Sequence, residues 1–175
     1  MNQPRIVNYD FYIKGVFGLE FDSFKDERGY NFEGFNHNYL KRIPALDLVF
    51  KVDSFSKSRK WTLRGFHGDK QNHKLVQCLS GRIQLILLDA RPNSSSYGKT
   101  LDIGVISGAL PKAFILPPGV LNAHLCLSEE CIFFYKLTYG YVPIAEQIHV
   151  KWNSPNYNIS WIGNSKDFIL SERDK

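Results

Sequence analysis

The chain carries no polybasic tract, no apolar window long enough to cross a bilayer, no low-complexity linker and no internal repeat. A membrane partner is therefore not expected, and neither is a solenoid or a tethered multidomain arrangement. The first ten residues, Met1 to Asp10, are polar and lack the apolar core of a secretory signal. Cysteine is scarce: Cys78, Cys126 and Cys131 make an odd set with no C-x-x-C pair, each in or beside an apolar stretch. Free thiols in a reducing, cytoplasmic setting are the simplest reading. There is no H-x-H pair either, so the usual ligand spacing of metal-binding barrels is missing, and neither a metal nor another cofactor is expected. The net charge of +5 suits a small anionic ligand, and without a dense Lys/Arg run no nucleic-acid partner is expected.

What the chain does have is aromatic residues, at 14% of its 175, within an ordinary hydrophobic content of 43%. That bias favours strands and ring-lined pockets. The length suits one domain over 1–175 with a sizeable core. Strand patterns run over Tyr12–Phe21, Leu48–Ser56, Lys74–Leu79, Arg82–Ala90, Thr100–Ile106, Ala113–Leu116, Ile132–Tyr141 and Gln147–Lys151. Ser80-Gly81 reads as a hairpin turn, and Arg91–Ser96 as a polar loop. Asn36–Ile43 alone reads as a short helix. Many short strands and one minor helix predict an all-β protein, a jelly-roll β-barrel with a cavity between its sheets.

Within this pattern Leu63-Arg64-Gly65-Phe66-His67, followed by Lys74-Leu75-Val76, concentrates chemistry. An imidazole moves protons near neutral pH, a fixed ammonium holds charge developing on oxygen, and a guanidinium fork suits phosphate. His67 is placed where a strand gives way to a loop. Lys74 heads an apolar strand and is expected to point inward. Taken alone, Tyr135 in Ile132–Lys136 reads as a core aromatic, and Asp174 as part of a loose tail. His124 shares strand parity with Asn122, which places both on one side of a strand.

The ordered set of motifs resembles the dTDP-4-dehydrorhamnose 3,5-epimerase family, from about Gly15 to Asp174. The pieces are Asp26-Glu27-Arg28-Gly29-Tyr30 with Glu33 and Phe35, Ser56-Lys57-Ser58, Leu63–His67, Lys74–Cys78, and Asp89-Ala90-Arg91. Tyr97-Gly98, Pro117-Pro118-Gly119, Tyr135-Lys136, Tyr141 with Pro143, Trp152-Asn153, Trp161 and Leu170–Asp174 complete them. The resemblance implies a cupin-type jelly roll with one or two short helices, working without metal as a homodimer that exchanges N-terminal strands. It implies His67 as general base, Asp174 as the carboxylate that orients it, Lys74 as the cation on the enolate oxygen, and Tyr135 as the acid on the opposite ring face. It implies Arg64 as a diphosphate contact and Arg28 and Glu33 as ligand contacts at the exchanged edge. Ser54, Asn122 and Ser171 are further expected substrate contacts. The implied substrate is a nucleotide-diphosphate 4-keto sugar, inverted at C3, or at C3 and C5, for bacterial capsule or O-antigen synthesis.

Four positions leave the family pattern. Val52-Asp53-Ser54 stands where Gln-Asp-Asn is common, Asn122 replaces a histidine, and Gly140 stands where an aromatic often packs beside the sugar. These departures point to an altered sugar or nucleotide, such as a GDP-linked 4-keto-heptose in place of a dTDP-linked 4-keto-6-deoxyhexose. A sugar 3,4-ketoisomerase or metal-dependent oxygenase of the same fold would need a closely paired histidine arrangement that the sequence lacks. An inactive nucleotide-sugar binding cupin would have no need of His67, Lys74, Tyr135 and Asp174 together.

Overall fold

The computed structural model describes residues 3–43 and 46–175. Thirteen strands follow in order: β1 (Arg5–Asn8), β2 (Phe17–Glu20), β3 (Phe24–Asp26), β4 (Gly29–Asn31), β5 (Val52–Arg59), β6 (Leu63–Gly68), β7 (Lys74–Ser80), β8 (Arg82–Asp89), β9 (Thr100–Ser107), β10 (Lys112–Leu116), β11 (Val120–Cys126), β12 (Glu130–Leu137) and β13 (Ile148–His149). A single α-helical turn, α1 (His37–Leu40), is N-capped by Asn36, whose side chain accepts from the Asn38 N–H. Two 3₁₀ turns lie at Ile144–Glu146 and Ser165–Asp167. No helix among the described residues is long and apolar enough to cross a membrane.

The strands form a six-stranded sheet, β1-β2-β10-β7-β12-β5, facing a five-stranded sheet, β13-β6-β11-β8-β9, with β3 and β4 as a separate hairpin. All pairings between these strands are antiparallel. This is the expected jelly-roll barrel. Between the sheets Val76, Leu85, Leu87, Phe114 and Phe133 form the inner core. The outer face of the larger sheet is covered by Leu40, Ile43 and Phe35 from the segment around α1, and the outer face of the smaller by Ile148, Val150 and Trp161. Covering on both faces explains why β8 is buried at every residue after Arg82 and reads as an unbroken apolar run.

Several boundaries differ from expectation. The pattern over Tyr12–Phe21 yields a strand only from Phe17, because Asp10 closes a turn by accepting from the Gly15 N–H and the Lys14 ammonium. Leu48–Ser56 shifts to Val52–Arg59, where inward Val52, Ser54 and Ser56 alternate with exposed Asp53, Phe55 and Lys57. The run Ile132–Tyr141 ends at Leu137, and Gln147–Lys151 shortens to two residues. β6 and β11 read in the sequence as strand only around His67 and around Asn122 and His124, without bounds, since Gly65 and Gly68 in one and the polar Asn122 and His124 in the other weaken the strand signal. His67 is the penultimate residue of β6, where the strand gives way to the loop before β7, as expected. Gly65 has a physical reason: its φ is +115°, and a Cβ there would sit 2.6 Å from the Asn122 carbonyl oxygen and 2.8 Å from Ala123. All three cysteines are free and buried.

Candidate active site

A cavity of ≈ 360 Å³ opens between the sheets, and His67, Lys74, Asn122, Tyr135, Ser171 and Asp174 line it together. The two walls contribute different groups. β6 and β11 of the smaller sheet bring His67 and Asn122, which are register partners. β7, β12 and β5 of the larger sheet bring Lys74, Tyr135 and Ser54, the last two also register partners. His67 and Tyr135 therefore enter from opposite walls.

Asp174 is no loose tail. Its side chain is 2% exposed, and its Oδ1 lies 2.7 Å from His67 Nε2. The Ser171 hydroxyl donates to its Oδ2 at 2.8 Å, and its own N–H donates to the Ser171 carbonyl. The segment is delivered there by backbone bonds: the Leu63 N–H donates to the Ile169 carbonyl, and the Ile169 N–H donates to the Trp61 carbonyl. Burial alone would raise the Asp174 carboxyl, but the bonds from His67 and Ser171 outweigh it and hold the group below its ordinary range. An ionised Asp174 fixes the neutral His67 tautomer with the proton on Nε2, which leaves the Nδ1 lone pair as the basic atom.

Lys74 is almost wholly buried and donates to the His67 carbonyl at 2.9 Å and to Asn122 Oδ1 at 3.0 Å. Burial pulls its pKa down to about 8, partly opposed by Asp69. An ammonium has three N–H donors, and two are engaged here, so the third is available to a ligand. Because a cation cannot accept, the Asn122 oxygen must face Lys74, and the amide nitrogen is left as the donor for a ligand. The two residues together can hold negative charge on a ligand oxygen.

Arg64 and Ser54 also line the cavity, with Arg64 Nε donating to Ser58 Oγ at 3.0 Å. Arg28 and Glu33 do not reach it. Arg28 sits at the tip of the β3–β4 hairpin, paired with Asp26, and Glu33 accepts from Asn36 and the Tyr39 hydroxyl. The expectation that they contact ligand is not met within one chain: the hairpin that carries Arg28 is exposed at every strand residue, and Glu33 is tied to Asn36 and Tyr39 at α1. The departures Val52, Ser54, Asn122 and Gly140 all line the cavity. At Gly140 a Cβ would meet nothing within 4 Å. That loop is held by Asn72, which accepts from the Tyr139 and Gly140 N–H groups and donates to the Gly140 carbonyl.

Two histidines join the site that the motifs did not assign. His124 lines the cavity beside Asn122, as its parity suggested, and stacks on Phe133 with ring centroids 4.1 Å apart. Burial, then Arg64 and His67, pushes its pKa down to about 3, so it is neutral. His149 lies opposite His67 across the β6–β13 pair, its Nε2 3.5 Å from Asp174 Oδ1. Burial, followed by the His67 and Arg173 charges, lowers its pKa. The strand pattern over Gln147–Lys151 was visible in the sequence; its pairing with β6 was not.

Comparison with known proteins agrees with this fold. A family model described as dTDP-4-dehydrorhamnose 3,5-epimerase matches residues 10–175. An Escherichia coli K12 protein named dTDP-4-dehydrorhamnose 3,5-epimerase is 35% identical over 167 residues, covering 93% of this chain and 88% of that protein. The crystal structure of an Elizabethkingia anophelis protein of that name superposes with a TM-score of 0.87 at 32% identity, covering 99% of this chain and 94% of the other. A Legionella pneumophila dTDP-6-deoxy-D-glucose-3,5-epimerase, solved in complex with dTDP-4-keto-L-rhamnose, gives 0.87 at 28% identity, covering 98% and 89%.

Proposed function

The chain belongs to the dTDP-4-dehydrorhamnose 3,5-epimerase family, and from that premise we propose how its cavity inverts a nucleotide-linked 4-keto sugar. It is an isomerase of nucleotide 4-keto sugars in carbohydrate biosynthesis. The ketone at C4 acidifies the hydrogens on C3 and C5, because the carbanion delocalises onto oxygen as an enolate. His67 Nδ1 takes one such proton, and Asp174 stabilises the imidazolium that results. Lys74 Nζ and Asn122 Nδ2 donate to the enolate oxygen. Tyr135 returns a proton to the other ring face. General acid–base steps are typically worth ~10²–10⁴-fold and one oxyanion donor roughly 3 kcal/mol. The observation that carries this reading is the placement of the His67–Asp174 pair and Tyr135 on opposite walls of one cavity, with Lys74 beside them.

Arg28 and Glu33 enter the site from a second copy, so the working unit is a homodimer whose exposed β3–β4 hairpins cross to the partner's cavity. Arg64 takes the diphosphate. Three buried free thiols suit a cytoplasmic enzyme making surface-polysaccharide sugars. The open space at Gly140 favours a sugar with a larger C6 substituent, such as a GDP-linked 4-keto-heptose. Purified protein is to be incubated in D₂O with dTDP-4-keto-6-deoxyhexose and GDP-4-keto-heptose, following C3 and C5 by NMR. Deuterium entering with inversion is expected, fastest in the heptose. No incorporation from either sugar overturns the epimerase reading. Preference for the dTDP-hexose overturns only the substrate, and label at C3 alone identifies a mono-epimerase.

A further inference from the structure

His149 has no part in the mechanism above, yet it is built into the base of the site. Its Nε2 is buried and has no hydrogen-bond partner among the described residues. One ligand atom each of His67, His149 and Asp174 lies within 4.8 Å of the other two, and Asp174 Oδ1 is 2.7 Å from His67 Nε2 and 3.5 Å from His149 Nε2. The imidazoles are held by antiparallel pairing of β13 with β6, ring centroids 5.3 Å apart, and the carboxylate is anchored by Ser171. We propose that these three side chains form a site for a divalent transition metal of the zinc type, and that an ion held there shuts off proton transfer.

Two imidazoles and a carboxylate are donors that zinc accepts, with the fourth position left to water. Zinc–nitrogen bonds of ~2.0–2.1 Å place tetrahedral ligand atoms roughly 3.4 Å apart. The 3.5 Å between His149 Nε2 and Asp174 Oδ1 already suits that spacing. The 2.7 Å contact between His67 and Asp174 is a hydrogen bond, and it lengthens once the ion replaces the shared proton. Ser171 keeps its bond to the other carboxylate oxygen and orients the ligand from behind. His67 and Asp174 both face the cavity, which provides the way in.

The consequence for catalysis follows from the tautomer. A metal on His67 Nε2 takes that nitrogen's lone pair, so the single proton of the neutral ring moves to Nδ1. Nδ1 is the atom that has to accept the sugar's proton, and a protonated Nδ1 cannot do so. Zinc would therefore act here as an inhibitor and not as a cofactor. The inhibition rests on the epimerase reading; the binding does not.

The test uses the full chain after chelator treatment. Zinc is titrated calorimetrically, and cobalt by its visible ligand-field absorption, in wild type, His149→Asn and His149→Gln, with melting temperatures as a folding control. One ion per chain is expected for wild type, with affinity at least about tenfold weaker in both variants. Metal-free epimerisation is expected to persist in the variants, while zinc inhibits wild type, reversibly with chelator, and spares them. Absence of stoichiometric binding, or equal affinity in folded His149 variants, overturns the site. Tight binding without loss of turnover overturns the inhibition alone. If wild type turns over no 4-keto sugar, the functional reading fails while the titration still decides the site.

Discussion

Two peripheral segments carry residues that the sequence motifs assign to the site, and the fold treats them in opposite ways. The C-terminal segment is bonded to Trp61 and Leu63 and buries Asp174 against His67 in the same chain. The β3–β4 hairpin is exposed at every strand residue and leaves Arg28 paired with its neighbour Asp26. One segment closes onto the cavity of its own chain; the other stays exposed, where the proposed function has it serve a second copy. The contrast separates what one chain closes on itself from what it leaves exposed. The residues proposed for proton transfer belong to the first class, and Arg28, proposed as a ligand contact, to the second.

The largest effect expected on this comparison comes from Asp174→Asn. It removes the charge that fixes the His67 tautomer while keeping the side chain's shape, and should lower kcat roughly 10²–10⁴-fold with little change in melting temperature. Steady-state kinetics beside thermal unfolding check it. A kcat within about threefold of wild type would mean that the buried pair is structural.

A smaller effect is expected from Arg28→Ala: about a tenfold loss in kcat/KM, mostly through KM. Coexpression with Asp174→Asn sharpens the comparison. If the hairpin acts across a dimer, each heterodimer regains one intact site, and the mixture recovers about a quarter of wild-type activity. Activity no higher than the mean of the separate variants would place the hairpin's action within its own chain.

The smallest effect concerns pH. With its pKa near 8, against an ordinary value of 10.5, Lys74 loses its proton early in the native state. Turnover should fall above about pH 8. Between the two values the unfolded chain holds more protons than the native one, so this group's contribution to stability rises with pH while activity declines. Lys74→Arg should move the alkaline limb upward, and pH–rate profiles of both proteins check it. An unmoved limb would assign it to another group.

Much of the inner core was legible in the sequence because β7, β8, β10 and β12 carry apolar runs bounded by clear turns. β6 and β11, which frame His67 and Asn122, were legible only in part and without bounds, because the close approach that requires Gly65 and the polar side chains that face the cavity both weaken strand signal. The weakly signalled strands thus form one wall of the cavity, and the strongly signalled β7 and β12 the other. Asp174 could be placed only through the motif resemblance, since its burial depends on backbone bonds to residues over a hundred positions away. His149 escaped notice because pairing across β13 and β6 brings it to His67, and no local spacing encodes that.

The central claim is that protons leave by one wall of the cavity and return by the other. Deuterium incorporation in Tyr135→Phe, set against His67→Asn and followed stereospecifically at C3, tests it most directly. In Tyr135→Phe the base should still exchange its proton with solvent, so label enters with retention while inversion falls by at least about 10²-fold; in His67→Asn both should cease. Inversion in Tyr135→Phe at the wild-type rate, or exchange surviving in His67→Asn, would contradict the two-walled account.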